Sequence, residues 1–237
     1  TRYFGNGVEE TDDYYGNGPN IEWDDFGLFL WAFSEYKDKT GRTDLDSYIP
    51  NLKSGAANVL VNMLQSDGLL MADSSIWERH WNSPFPSGCN NTSTVGGYNG
   101  YRRRHMYANI TAANGLKRFG TSVSDSSYVT YGNNIKSSIT TLGVTNNILV
   151  SSLEEKGCGF NYNLDGAVVE AIGWDLVSEN IGASTIQMMN NKLRIGMMNA
   201  NYGVTPGNSP GYFRNDDGKI SEAGDYDFRE WVVIDLR

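Results

Sequence analysis

The segment from Ile21 to Lys39 constrains the fold more than any other part of the chain. Ile21, Phe26, Leu28, Phe29, Leu30, Ala32, Phe33 and Tyr36 recur at broadly helical spacing, and Thr40-Gly41 supplies a stop. The apolar positions are too dense for a single stripe, so this helix is expected to be buried on more than one side. Near its start Glu22, Trp23, Asp24 and Asp25 crowd carboxylates against an indole. Such a group suits the positive end of a helix dipole as well as a substrate contact.

Five more segments carry helical patterning. One runs from about Ser47, through Pro50 near its first turn, to Gln65, with Leu52, Ala56, Val59, Leu60, Met63 and Leu64 as its stripe. Others are expected from Gly100 to Phe119, from Ser124 to Leu142 behind a Ser-Asp-Ser-Ser cap, from Leu164 to Val177, and over 182–194, where Met188 and Met189 read as core filler. Residues 1–20 read as an irregular lead-in and 143–163 as an irregular or short β-like connection. The expected class is mainly α, built from helical hairpins with long loops. A length of 237 residues with 39% hydrophobic content suits a single domain over 1–237. The final run Trp231-Val232-Val233-Ile234-Asp235-Leu236-Arg237 reads as an element cut in mid-course, so the chain is expected to be a fragment of a larger one.

The long loop over 66–99 holds the stretch with most chemical content, Asp67 to Trp81. It places Glu78 between Trp77 and Trp81, beside Arg79 and His80. Aromatic faces cover sugar rings, and a carboxyl group held against them loses hydration, which raises its pKa and suits it to proton donation near neutral pH. A packed surface turn with an ion pair is the alternative reading of the same residues. The run Tyr101-Arg102-Arg103-Arg104-His105 opens the next segment, and three consecutive arginines cannot share one helix face, so one is expected to reach inward.

With 19 basic and 28 acidic residues the formal charge is −9, which disfavours nucleic acid and anionic membranes as partners. No stretch approaches the roughly 20 apolar residues of a membrane span. The 14 Tyr, 9 Phe and 6 Trp supply stacking surface. Cys89 and Cys158 have no metal-site spacing, and Asn215 to Glu222 lacks the EF-hand ligand pattern, so neither metal nor cofactor is expected. The triplets at Asn90, Asn91 and Asn109 are glycosylation patterns, and with the Asn, Ser, Thr and Gly content they suit a secreted, extracellular protein.

Several patches resemble the glucoamylase-type glycoside hydrolases of family 15, which are (α/α)6 toroids. Glu22-Trp23-Asp24-Asp25-Phe26-Gly27-Leu28 is similar to that family's early motif, in which an aspartate binds the terminal sugar; Asp24 is the matching position. Ser75-Ile76-Trp77-Glu78 resembles its Trp-Glu motif, whose glutamate is the general acid. His105 with the helix after it, Leu164-Asp165, and Gly211-Tyr212-Phe213-Arg214 resemble later motifs. The resemblance implies inverting hydrolysis of α-glucosidic bonds in oligo- or polysaccharides. In it Glu78 is the acid, Asp24, Trp77, Trp81 and Arg214 contact sugar, and Arg103 or His105 orients it. The family's catalytic base lies in a later segment than this chain reaches, so the resemblance is to an incomplete toroid, completed by another chain or fragment. Glu154, Glu155, Glu222 and Glu230 are the glutamates available in loops for that role. The alternative is a non-catalytic carbohydrate-binding or structural extracellular protein with the same fold.

Overall fold

The computed structural model describes the strands Arg2–Tyr3 and Glu9–Glu10 and residues 22–73, 103–154, 156 and 164–192, and the structural statements below concern these residues. The architecture is mainly α, as the sequence patterning implies. In chain order the elements are β1 (Arg2–Tyr3), β2 (Glu9–Glu10), α1 (Asp24–Thr40), α2 (Ile49–Leu52), α3 (Asn58–Asn62), α4 (Met106–Ser122), α5 (Ser126–Leu142), β3 (Val144–Thr145), β4 (Ile148–Leu149), α6 (Glu170–Gly173) and α7 (Glu179–Lys192).

Helix α4 is the centre of the packing. Every residue from Met106 to Leu116 is buried, so its surface must be covered on all sides. Helix α1 covers one side and α5 another. The approach is close because the sequence puts small residues at the crossings. A Cβ placed on Gly27 of α1 would stand 2.6 Å from the Ala112 amide nitrogen, and one on Gly132 of α5 would stand 2.6 Å from the Ala113 carbonyl oxygen. Backbone therefore meets backbone at both seams, which gains dispersion contact but leaves no room for a side chain. Around these seams Leu30, Leu60, Leu116, Ile135 and Ile139 are fully buried. Phe119 lies between Phe33 and Tyr128, with ring centroids 5.9 and 5.6 Å away.

Helix α1 has the caps its sequence specifies. Asp24 and Asp25 occupy the first turn and Lys37 and Lys39 the last. Gly41, at φ 64°, closes the helix with its N–H on the Lys37 carbonyl at 2.9 Å. Helix α5 starts behind Asp125, whose carboxylate accepts from the Ser127 amide at 3.3 Å and the Ser127 hydroxyl at 2.6 Å. Met189 of α7 is buried in the core, as core filler should be.

Four expectations need correction. The second helical segment is not one α-helix: a 3-10 turn over Asp46–Tyr48 leads into α2, a π-helical stretch over Lys53–Ala57 follows, and α3 completes it. The third helix begins at Met106 rather than near Gly100, because the backbone groups of Arg103 are taken by Asp73 and those around His105 by Ser151 and Leu153. Leu164 to Val177 is a 3-10 turn, Gly166–Val169, and the single turn α6. The lead-in is not wholly irregular, since β1 and β2 pair antiparallel with Arg2 opposite Glu10. The short β-like connection is present as the β3–β4 hairpin, turned by Asn146 and Asn147 at φ 52° and 61°.

Candidate functional site

A buried polar patch forms where the chain enters α1 and α4. Residues 103–105 are extended and lie between two other segments. Asp73 pairs with Arg103 through both backbone bonds, at 2.9 and 3.0 Å. On the other side His105 opposes Ser152, and the Met106 N–H donates to the Ser151 carbonyl at 2.8 Å. An extended backbone alternates its side chains, so Arg103 and His105 project to one face and Arg104 to the other. This resolves the arginine run: Arg103 and His105 are each 1% exposed, while the Arg104 side chain keeps 31%.

The start of α1 is tied into the same patch. The Trp23 main-chain N–H donates to Asp73 Oδ2 at 3.1 Å, so a buried carboxylate from another segment caps a helix whose own preceding residue offers no side-chain cap. Asp24, the next residue, is itself buried. Asn109 fixes the neighbouring loop, with its Nδ2 on the His105 carbonyl at 2.7 Å and its Oδ1 accepting from the Leu70 N–H at 2.8 Å. With both ends of its amide engaged and 1% exposure, Asn109 cannot serve as a glycan acceptor in the folded chain. On the opposite face Arg104 gathers two carboxylates: Nε donates to Glu154 Oε1 at 3.1 Å, the main-chain N–H to Glu154 Oε2 at 2.8 Å, and the guanidinium to Asp67 Oδ2 at 2.7 Å. Glu154 is therefore committed to an ion pair and is not disposed to act as a catalytic base.

Of the residues singled out from the sequence, Asp24, Arg103 and His105 are brought to this patch. Trp77, Glu78, Trp81 and Arg214 lie outside the described residues, as do Cys89, Cys158, Glu155, Glu222, Glu230 and the triplets at Asn90 and Asn91. Asp165 caps the 3-10 turn by accepting from the Ala167 N–H at 2.9 Å. Sequence reasoning passed over Asp73, Ser151 and Ser152. The only local signal was Asp73 next to buried Ala72 after an apolar pair, Leu69-Leu70, a polar residue where the chain had just entered the core. Among the described residues no group of three or more His, Cys, Asp or Glu is placed to hold a metal ion, and no helix is long and apolar enough to cross a membrane.

A groove of about 1530 Å³ runs along the outer face of α1. Trp23, Phe26, Phe29, Tyr36, Tyr48 and Leu52 are among its lining residues, and Phe29 and Tyr48 are more than half exposed. The expectation that α1 is buried on more than one side is thus corrected: this second apolar side is open among the described residues. Asp24, Arg103 and His105 do not line it, but Glu22 and Trp23 do, so one end of the groove abuts the entry to α1.

Glu170, at the start of α6, is a partly buried carboxyl group. Burial raises its pKa, and Oε2 has no hydrogen-bond partner. A folded-state pKa above the unfolded value means that its contribution to stability is fully present below the unfolded pKa and is lost as pH rises through the folded one. At pH 7, where the unfolded carboxyl group is ionised, folding therefore carries a cost at this group, as a buried charge or as proton uptake. Glu170→Gln is expected to be more stable than the parent chain at pH 7, with the difference closing near pH 4, as read by urea unfolding at both values.

Neither a protein-family model nor a curated protein sequence matches the chain. Solved structures do. A glycosidase variant carrying a single phenylalanine-to-tyrosine change, and a glycosidase with a glutamate replaced by alanine in complex with glucose, each superpose with a TM-score of 0.54 at 18% identity, over 81% of this chain. The wild-type glycosidase superposes at 0.52 with 16% identity. This chain spans 44% of the length of each. The chain therefore has a helical fold shared with part of these glycosidases.

Proposed function

We propose that the chain is a glycoside hydrolase-like protein that acts on α-glucosidic bonds of oligo- or polysaccharides by inverting acid/base hydrolysis, within an (α/α)6 toroid of the family 15 type. The observation that carries the reading is the link made by Asp73 between the entry to α1, which carries buried Asp24, and the extended segment that carries buried Arg103 and His105. The sequence motifs had separated these residues by some eighty positions. The fold shared with glycosidases, one of them in complex with glucose, supports a sugar as the ligand. In this reading Asp24 accepts from sugar hydroxyls, Arg103 and His105 orient the ring, and Trp77, Trp81 and Arg214 complete the contacts. Glu78 donates a proton to the leaving oxygen, and a carboxylate on the opposite face, roughly 6.5–9.5 Å away in inverting enzymes, activates water. That carboxylate is carried by a further chain or segment that completes the ring, in keeping with the 44% of the neighbours' length spanned here. The reading includes one domain over 1–237 and an extracellular location.

A non-catalytic carbohydrate-binding role is favoured by one observation, the commitment of Glu154 to Arg104, which removes a candidate base. Hydrolysis of maltose and isomaltose separates the two. The enzyme reading expects Glu78→Gln to lose about 10²–10⁴-fold in rate while still binding maltose by calorimetry, and expects the β-anomer to appear first by NMR in the parent reaction. A parent protein that binds these sugars and never cleaves them establishes the binding role instead.

A further inference from the structure

Helix α1 carries two stripes on different sides. Gly27, Leu30 and Ser34 form the buried one, with Gly27 against the backbone of α4. Asp25, Leu28, Phe29, Ala32, Tyr36 and Lys39 recur at steps of three and four and share the other face. All of them but Lys39 line the groove along α1. Phe29 is 59% exposed and Tyr48, from the segment that forms the other wall, 57%; among the described residues these are the exposed large hydrophobic side chains. Their concentration in one groove, with acidic residues at one end, marks an interaction surface rather than scattered surface exposure.

We propose that this groove is the docking face for a second copy of the chain, with the two α1 helices packed antiparallel about a two-fold axis at Ala32. The stripe is self-complementary about that residue. Leu28 and Tyr36 each stand four positions from Ala32, and Asp25 and Lys39 each stand seven, with opposite charges. A two-fold contact requires this property, since residue i of one copy meets j of the other and j meets i. Ala32 is small and exposed, so the helix axes can approach closely at the centre. Leu28 then faces the second copy's Tyr36, and Phe29 enters the second copy's groove beside Tyr48 and Leu52. Asp25 in the first turn comes beside Lys39 in the last, a side chain that is 76% exposed and pairs within its own helix with Glu35 at 2.7 Å. Each copy carries a formal charge of −9, so self-association needs a face where opposite charges meet, and the antiparallel order of α1 supplies it for side chains and helix dipoles alike. The assignment concerns association alone and does not rest on the glucoside reading.

The test is sedimentation of the full chain across concentrations from about 1 to 300 µM, a range that brackets a micromolar dimer. The parent chain is expected to pass from monomer to dimer and to stop there, because a two-fold contact uses up its own face. Phe29→Asp, at an exposed site in the centre of the groove, should raise the dimer Kd at least about tenfold. Asn134→Asp adds the same charge at an exposed position of α5 and should change it by less than about twofold. Geometry is read separately by Ala32→Cys, which on the axis should link two copies under mild oxidation, since Cα atoms within about 7 Å can be bridged; Asn134→Cys should link no more than the parent chain does. A parent chain that stays monomeric throughout, association that continues past two copies, a dimer that Phe29→Asp leaves intact, or an Ala32→Cys chain that links no more than the parent each overturns the proposal. The first of these leaves the groove to a further segment of the ring, and the third moves the dimer contact to another face. None of them bears on the glucoside reading, which maltose binding and hydrolysis decide. Should Phe29→Asp fail to fold by circular dichroism, Tyr48→Asp on the other wall takes its place and must give the same loss.

Discussion

Gly27→Ala is expected to destabilise the chain by about 3 kcal/mol, the upper end for overpacking a core, which for a chain of this size lowers the melting temperature by about 6–12 °C. The added methyl would meet the main chain of Thr111 and Ala112, which cannot rotate away as a side chain would. Gly115→Ala meets the same seam from the other side, with its Cβ 2.9 Å from the Gly27 Cα. Either substitution alone must push α1 and α4 apart. Once they are apart the second methyl finds the space already made, so the double variant should lose distinctly less than the two single losses combined. Alanine is intrinsically the better helix former by about 1 kcal/mol, and Gly55→Ala provides the control. A Cβ there meets nothing within 4 Å, so this change should stabilise by about 0.5–1 kcal/mol. Equilibrium unfolding of the four variants reads all of these. A Gly27→Ala protein as stable as the parent would show that the seam between α1 and α4 is looser than backbone contact.

The legibility of the fold followed the reach of the forces involved. Helix α1 was readable to within a few residues because its signals are local: acids in the first turn, an apolar run, and Gly41 able to take a positive φ. Helix α5 was readable for the same reason, since Asp125 caps it from the adjacent position. The start of α4 was not. Tyr101-Arg102-Arg103-Arg104 has good helix formers, yet partners 30 or more positions away take the backbone groups of 103–105 into bridges. Tertiary pairing overrode propensity there. The uneven course of the second helical segment was equally hidden, because its stripe of Leu52, Ala56 and Leu60 keeps one apolar face whether the turns between are α or π.

The buried polar patch was legible in its residue types and not in its connections. Asp24, Arg103 and His105 stood out as polar groups beside aromatic or basic neighbours, and the structure brings them to one end of the helices. What joins them is Asp73, whose side chain accepts from Trp23 and whose backbone pairs with Arg103. No composition or spacing rule identifies a carboxylate that caps a helix fifty residues earlier in the chain. Glu154 carries the complementary lesson. As a loop carboxylate it was a reasonable base by sequence, and only its bonds to Arg104 reassign it.

Arg104 supports the second large expected effect. Its guanidinium holds Glu154, whose side chain is 5% exposed, and Asp67, and so clamps the turn after α3, the extended segment before α4, and the segment after β4. Arg104→Met removes the cation but leaves the apolar stem, so the change isolates charge and hydrogen bonding from packing. Glu154 then keeps a bond from the Arg104 main-chain N–H and loses the Arg104 guanidinium while still buried. Breaking one side of a buried pair costs about 3–5 kcal/mol. The partial exposure of Arg104 lets water reach the site and places the expected loss near the low end, about 3 kcal/mol. If the loss comes from the weakened pairing of the Glu154 carboxylate, Arg104→Met combined with Glu154→Gln should recover at least half of it. If it comes instead from unlinking the three segments, the second substitution recovers nothing, and hydrogen exchange should rise together at Gly68, Leu70 and Leu153. Urea unfolding of the single and double variants separates the two causes. Sugar affinity adds a functional reading, because the same extended segment presents Arg103 and His105 on its other face. A clamp that matters for the site lowers maltose affinity in Arg104→Met and restores it in the double variant in step with stability.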